Sequence, residues 1–398
     1  MKKPLLSILL AMSVLFLFCG GVRAEGPARI RLETIKKEVL PAGKGVKSVI
    51  MNSDCSSVYS INLEDMSVFE FERESRKIKR KLVFIPHKGR GFDYSSKSWI
   101  NSYQEKPVEA HLTHNDRFLW ISLHNAGGVV VWDLQGGDTY VPGRPYKEAW
   151  LHELPPEEDT ENLDTNFIKR KVRLLLLETG TTPKVITTSP DGEYLFVANW
   201  HSNSVSIIKI NSPEPKDWIK SMDLKTLVVP RGLAVSPDSR RLYIAQMGGD
   251  VVSILDLESM KKVRDIKVGV NPRHILTDGS FLYASLNKVS KLVKVDLETG
   301  EIVKGVNTCA LPRTIALSRD GKILFAACYR GNAIQAFSAD DLSLLGSWES
   351  RVHPVAVDIY QQDETIEAWV GNYTSGELNI FTLKGDAPGL MQMANPTP

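Results

Sequence analysis

Five basic side chains fall at corresponding points of a recurring pattern. Lys184, Arg231, Arg273 and Arg313 directly follow Pro183, Pro230, Pro272 and Pro312, and Lys47 aligns with them. Two further copies put Glu109 and Val355 in the same place. Guanidinium and ammonium groups gathered at one point favour carboxylate, phosphate or sulfate, since the planar Arg fork matches such groups two bonds at a time. The competing reading is that each cation only ties down a neighbouring loop. A second set falls on the loops expected beside these cations: His124, Trp200-His201, Tyr329-Arg330 and Tyr373, with Phe92, Tyr94, Trp99 and Tyr103 from an insertion. Large aromatics beside Arg are the usual make-up of a recognition surface.

Other chemistry is weakly indicated. His87, His124, His201, His274 and His353 fall near the same end of their repeats, but on separate loops with no paired spacing and little carboxylate support, so no metal is expected. Asp133, Asp256, Asp296 and Asp340 end strands, where Asp commonly closes a turn through its own backbone. No Gly-x-Ser-x-Gly, His-Glu-x-x-His or phosphate-cradling loop occurs, and no catalytic residue or cofactor is expected.

The elements that must position these groups are short strands. Val185–Thr188 is apolar and β-branched, Ser189-Pro190-Asp191-Gly192 is a turn cluster, and Leu195–Ala198 and Ser204–Ile210 follow. The unit recurs from Pro230, Pro272, Pro312 and Pro354, at intervals of 47, 42, 40 and 42 residues. Looser copies occupy Lys47–Glu72 and Val108–Leu134. Several strands per repeat, at a period near forty, predict an all-β, seven-bladed β-propeller. The tail after Leu383 offers no fourth strand, so the segment Ile30–Leu40 is expected to complete the last blade and close the ring. Two insertions, 86–107 and 135–167, interrupt the period and both read as loops, the second punctuated by Gly and Pro.

Leu195-Phe196-Val197-Ala198-Asn199, with looser copies at Leu242–Gln246 and Leu324–Cys328, resembles the YVTN-type repeat of YncE-like and surface-layer-associated propellers. The resemblance spans about residues 180–383. It implies a fold and almost nothing about activity, because propellers host unrelated functions.

The N-terminus opens with Lys2-Lys3, an apolar run Leu5–Phe18 and a small-x-small site at Val22-Arg23-Ala24, the pattern of a secretory leader ending at residue 24. Cys19 suggests lipidation less well, because Phe18 precedes it. Removing the leader takes three cations and no acid, so the formal charge of +2 becomes −1. Bulk attraction to nucleic acid is therefore not expected. Cys55, Cys309 and Cys328 remain, without a Cys-x-x-Cys pair. Folding the hairpin around Ser318–Gly321 sets Pro312 opposite Cys328 and Cys309 close by, which predicts a Cys309–Cys328 disulfide in an oxidising compartment.

These readings converge on a periplasmic or secreted monomeric binding or scaffolding module. It would comprise residues 25–385, with a flexible tail from 386 to 398. Its partner would be an anionic small molecule, an envelope polymer or a protein, met through the basic mouth. The alternative is a propeller enzyme of lactonase, lyase or metal-dependent oxidoreductase type, which acids clustered with His at the axis would favour.

Overall fold

A computed structural model describes residues 31–154 and 167–385. The expected leader, Cys19 and the tail from 386 lie outside these residues. Pro183–Thr188, Tyr194–Asn199, Ser204–Lys209 and Ile219–Lys225 form an antiparallel four-stranded sheet in chain order. Sheets of the same order begin at Pro230, Pro272 and Pro312. In the sheet that begins at Pro354, the fourth strand comes from the far end of the chain. Leu32–Pro41 pairs with Glu377–Gly385, Leu32 opposite Gly385 and Pro41 opposite Glu377. Each inner strand packs beside the next, and Pro354–Gln362 packs beside Val46–Met51, so the inner strands close a circle.

Local chemistry explains the repetition. In the turns after three of the inner strands, Ser189 donates to Asp191 at 2.5 Å, Ser236 to Asp238 at 2.5 Å and Ser318 to Asp320 at 2.6 Å. The Asp then accepts a backbone N–H two residues on, from Glu193 or Lys322. At the other end of the second strand, Asn199 Nδ2 donates to Ser204 and Ser206 on the third strand, at 3.2 and 2.9 Å. Gln246 reaches Ser253 and Asn372 reaches Asn379 in the same way. The Asn of the repeat motif is therefore a buried cross-strand pin. Asp133, Asp256 and Asp296 accept backbone N–H groups two or three residues on, as turn closers do.

Apolar side chains from adjoining sheets interleave. Ala245, Val252 and Ile254 meet Ile275, Leu282 and Val293 in one such layer, and Phe325 and Ile334 meet Val357 and Phe381 in another. Such layers join neighbouring sheets into one body and fix the inner strands relative to each other.

Both insertions hold strands among their described residues. Residues 86–107 contain a hairpin, Lys88–Asp93 paired with Ser98–Tyr103. Within 135–167, Tyr146–Glu153 is a strand lying between Ile78–Phe84 and Ile168–Glu178. It joins the first two groups of strands into one nine-stranded sheet. The loop reading of both insertions is thus corrected at Lys88–Asp93, Ser98–Tyr103 and Tyr146–Glu153. Ala149 and Leu151 of this strand are buried in the core while Trp150 is exposed, the alternation of a strand with one covered face.

Candidate anion-binding mouth

The cations stand where the inner strands begin, and the backbone aims them. In every inner strand the pairing register slips just after the first residue: between Pro183 and Ile186, Pro230 and Leu233, Pro272 and His274, Pro312 and Ile315. Val46–Ser48, Pro107–Ala110 and Pro354–Ala356 slip likewise. A bulge bends its strand and redirects one side chain. The residue before each lead proline is left-handed, with φ of 62° at Thr182, 46° at Val229, 61° at Asn271 and 55° at Leu311. This conformation is unfavourable for the β-branched Val229 and Thr182. Strain of this kind persists only where the surrounding structure holds it, and it gathers at functional sites.

Lys47, Lys184, Arg231, Arg273 and Arg313 come close enough to repel one another. One carboxylate stands among them: Arg231 Nη2 donates to Glu109 Oε1 at 2.6 Å. The other four lie against polarisable groups. Lys47 Nζ is 3.9 Å from the ring centre of Tyr373, and Arg313 Cζ is 3.5 Å from that of Tyr329. Lys184 Nζ is 4.7 Å from the Trp200 ring centre and 5.4 Å from that of Tyr94. Arg273 Nη1 lies 3.9 Å from Met247 Sδ. Aromatic faces attract cations while leaving their hydrogens free for another acceptor. Arg231 is only 7% exposed, yet its Nε and Nη1 have no hydrogen-bond partner, nor has Nε of Arg313. Orphaned buried donors are rare and call for an explanation.

Charge crowding marks the electrostatics. Burial, then Arg313, Arg273 and Arg231, push Lys47 down to about 7. Burial, Arg231 and Lys47 hold Lys184 well below the usual lysine value. Burial, with Lys184 and Lys47 adding to it, keeps His124 neutral at pH 7. Burial pushes the Glu109 carboxyl up, but Arg231 outweighs it and the net displacement is downward.

The hairpin of the first insertion stands over this mouth. Tyr94 Oη meets His124 Nε2 at 3.2 Å, and its ring contacts those of Trp200 and His201. Phe92 and Trp99 also pack on His201. The base of the hairpin is anchored by a fully buried Glu105, which accepts from the His87 backbone N–H at 2.7 Å and Lys147 Nζ at 2.8 Å. Lys147 belongs to the bridging strand, so the two insertions are tied together. Of the remaining sequence-selected groups, His201 sits in the outer aromatic cluster and Arg330 is exposed on the Tyr329 loop. Tyr329 stacks on His353 at 4.2 Å. Cys309 and Cys328 form a disulfide with Cα atoms 5.7 Å apart, and Cys55 is a buried free thiol.

Beneath the ring, a channel of about 490 Å³ runs between the inner strands, lined among others by Glu109, His111, His274 and Asp358. Asp358 escaped the sequence reading; the one available sign was an acid inside the apolar run Val355–Ile359. Burial raises it to about 6, while the N–H groups of Met51 and Ile359 bond its two oxygens, each at 2.8 Å. Glu109 and Asp358 are thus both held by donors, while Nδ1 of His274 on the same wall has no partner. Among the described residues, no three His, Cys, Asp or Glu side chains group as metal ligands.

No known family profile and no curated protein matches the chain. Among solved structures, it superposes on the Cps50 (Swd1) β-propeller domain of Myceliophteria thermophila with a TM-score of 0.63. The match covers 87% of this chain and 99% of that one, at 13% identity. The chain is a β-propeller. At that identity the likeness speaks to the fold alone, and the propeller expected from the period is present while membership of the YVTN family is not established by it. Among the described residues of this propeller, no helix is long and apolar enough to cross a membrane.

Proposed function

We propose that this propeller is an exported, monomeric binding module of seven blades, built from YVTN-type repeats over residues 25–385, and that it holds an anionic ligand in its axial mouth. The observation that carries the reading is the imbalance at the ring: five basic side chains, a single salt bridge among them, and buried guanidinium hydrogens with no acceptor. A ring that served only to tie down loops would give each cation its own acid or carbonyl. Export is supported by the leader pattern of residues 1–24 and by the Cys309–Cys328 bond, which suits an oxidising compartment. Binding and scaffolding are common uses of propellers, and the aromatic hairpin beside the mouth offers a surface for the rest of a ligand or for a protein partner.

Isothermal titration of the mature chain with a panel of small anions tests the reading. Binding that is lost in Arg231→Met and Arg273→Met supports it. Absence of binding by every anion, or binding unaffected by both changes, refutes it.

A further inference from the structure

Resting on that reading, we infer that the mouth selects a compact oxyanion carrying two or more negative charges, the class shared by phosphate compounds and polycarboxylates, over any monoanion. The first argument is charge. With Lys47 and Lys184 protonated and Glu109 ionised, five cations surround the one carboxylate paired among them, and a single negative charge would leave most of the repulsion in place. The second is the stock of donors. Arg231 Nε and Nη1 and Arg313 Nε lack acceptors, and the amines of Lys47 and Lys184 lie over rings rather than oxygens. Satisfying donors on separate strands takes several oxygens held close together, as in a phosphate or in neighbouring carboxylates. The third is room. The channel of about 490 Å³ under the ring accommodates a small-molecule body, and His274 on its wall has an unpartnered Nδ1.

Protonation should follow binding. The groups facing Lys47 are Arg231, Arg273, Arg313, Glu109, Glu64, His124, Lys184 and Tyr373. Those facing Lys184 are Arg231, Arg273, Lys47, Glu109, His124, His201, Tyr94 and Trp200. The cations outnumber the acids in both sets. A multiply charged anion reverses the balance and favours the ammonium forms, so the protein takes up protons as the ligand enters.

Calorimetry with inorganic phosphate, pyrophosphate, citrate and acetate decides the matter, run at pH 8 in two buffers of different ionisation heat. The multiply charged anions should bind at least about 30-fold more tightly than acetate, with a heat that differs between buffers. Lys47→Arg should keep binding and lose part of the proton uptake; Lys47→Met should weaken binding about tenfold. Pyrophosphate ahead of citrate marks phosphate as the source of the charge, and the reverse order marks carboxylate; either supports the class. Acetate binding as tightly as the others, or no buffer dependence, overturns this inference while leaving an anion site. No binding at all overturns the anion site itself. Should Arg231→Met fail to fold, Arg231→Met with Glu109→Gln removes both partners and serves instead.

Discussion

Arg231 donates to Glu109 at 2.6 Å, past the inner strand Pro183–Thr188 that lies between their own, joining residues 122 positions apart in the chain. No other ring cation makes a salt bridge among the described residues. Glu109 thus relieves part of the repulsion in the ring and takes up one donor of Arg231, while Nε and Nη1 of that side chain stay without a partner.

Replacing Glu109 with Gln should therefore divide stability from binding. Removing one member of a buried pair costs about 3–5 kcal/mol. The same change raises the positive potential of the mouth, so pyrophosphate should bind more tightly and recover much of the lost stability. Urea titrations with and without pyrophosphate measure both effects, and an unchanged midpoint in both would contradict the account.

Alkaline pH should stabilise the free protein. Lys47, lowered to about 7, has already lost its proton in the fold at pH values where the unfolded chain still holds one. Lys184 is displaced in the same direction. The unfolded state then binds more protons, so stability rises between about pH 7 and pH 10, by up to about 1.4 kcal/mol per pH unit for each lysine. Above pH 10 the raised Tyr373 and Tyr94 work the other way. Lys47→Met should flatten the rise in unfolding midpoint from pH 7 to 9.5. A wild-type profile that is already flat would count against the buried lysines.

Reduction of the disulfide should loosen one side of the mouth. Cys309 and Cys328 close a loop of 19 residues, and a bond of that span contributes about 2–4 kcal/mol. Gly331 packs so closely there that an added Cβ would lie 2.8 Å from Cβ of Cys309. Thermal melting with and without a phosphine reductant should show a drop, and Gly331→Ala should reproduce part of it. The paired change Cys309→Ser, Cys328→Ser should be insensitive to reductant; equal sensitivity would show that another bond is responsible.

Removing the closing strand should open the ring. A chain begun at Lys44 lacks Leu32–Pro41 and leaves Glu377–Gly385 with an unpaired edge. It also loses the hydrogen bond from Trp348 Nε1 to Thr34, 2.6 Å long. Gel filtration should show association, and melting should occur well below that of the full-length protein. A monomeric product of unchanged stability would refute the closure.

The repeat was legible because its punctuation is chemical: Pro183, Pro230, Pro272 and Pro312 set the start of the inner strands, and Ser-x-Asp turns end three of these four. The ring cations were legible for the same reason. Their aim was not, since it depends on bulges and on left-handed backbone at residues such as Val229 that carry no local sequence mark for it. The strand Tyr146–Glu153 was hidden differently. Glycines and prolines surround it, and Lys147 occupies a core-facing position, so its alternation reads as broken. Only the structure supplies the partner, Glu105, that makes a lysine acceptable there.

The pairing of Leu32 with Gly385 also sets an order of events in time. Most sheets of this protein can form from neighbouring residues soon after they are made. The strand Leu32–Pro41 leaves the ribosome first among the described residues and must wait for Glu377 and beyond. Contacts so distant in sequence form slowly, because a long loop has to close before they reward it. Completion of the ring is therefore expected as the last and slowest step of folding, and a chain halted before Glu377 has no partner for its first strand.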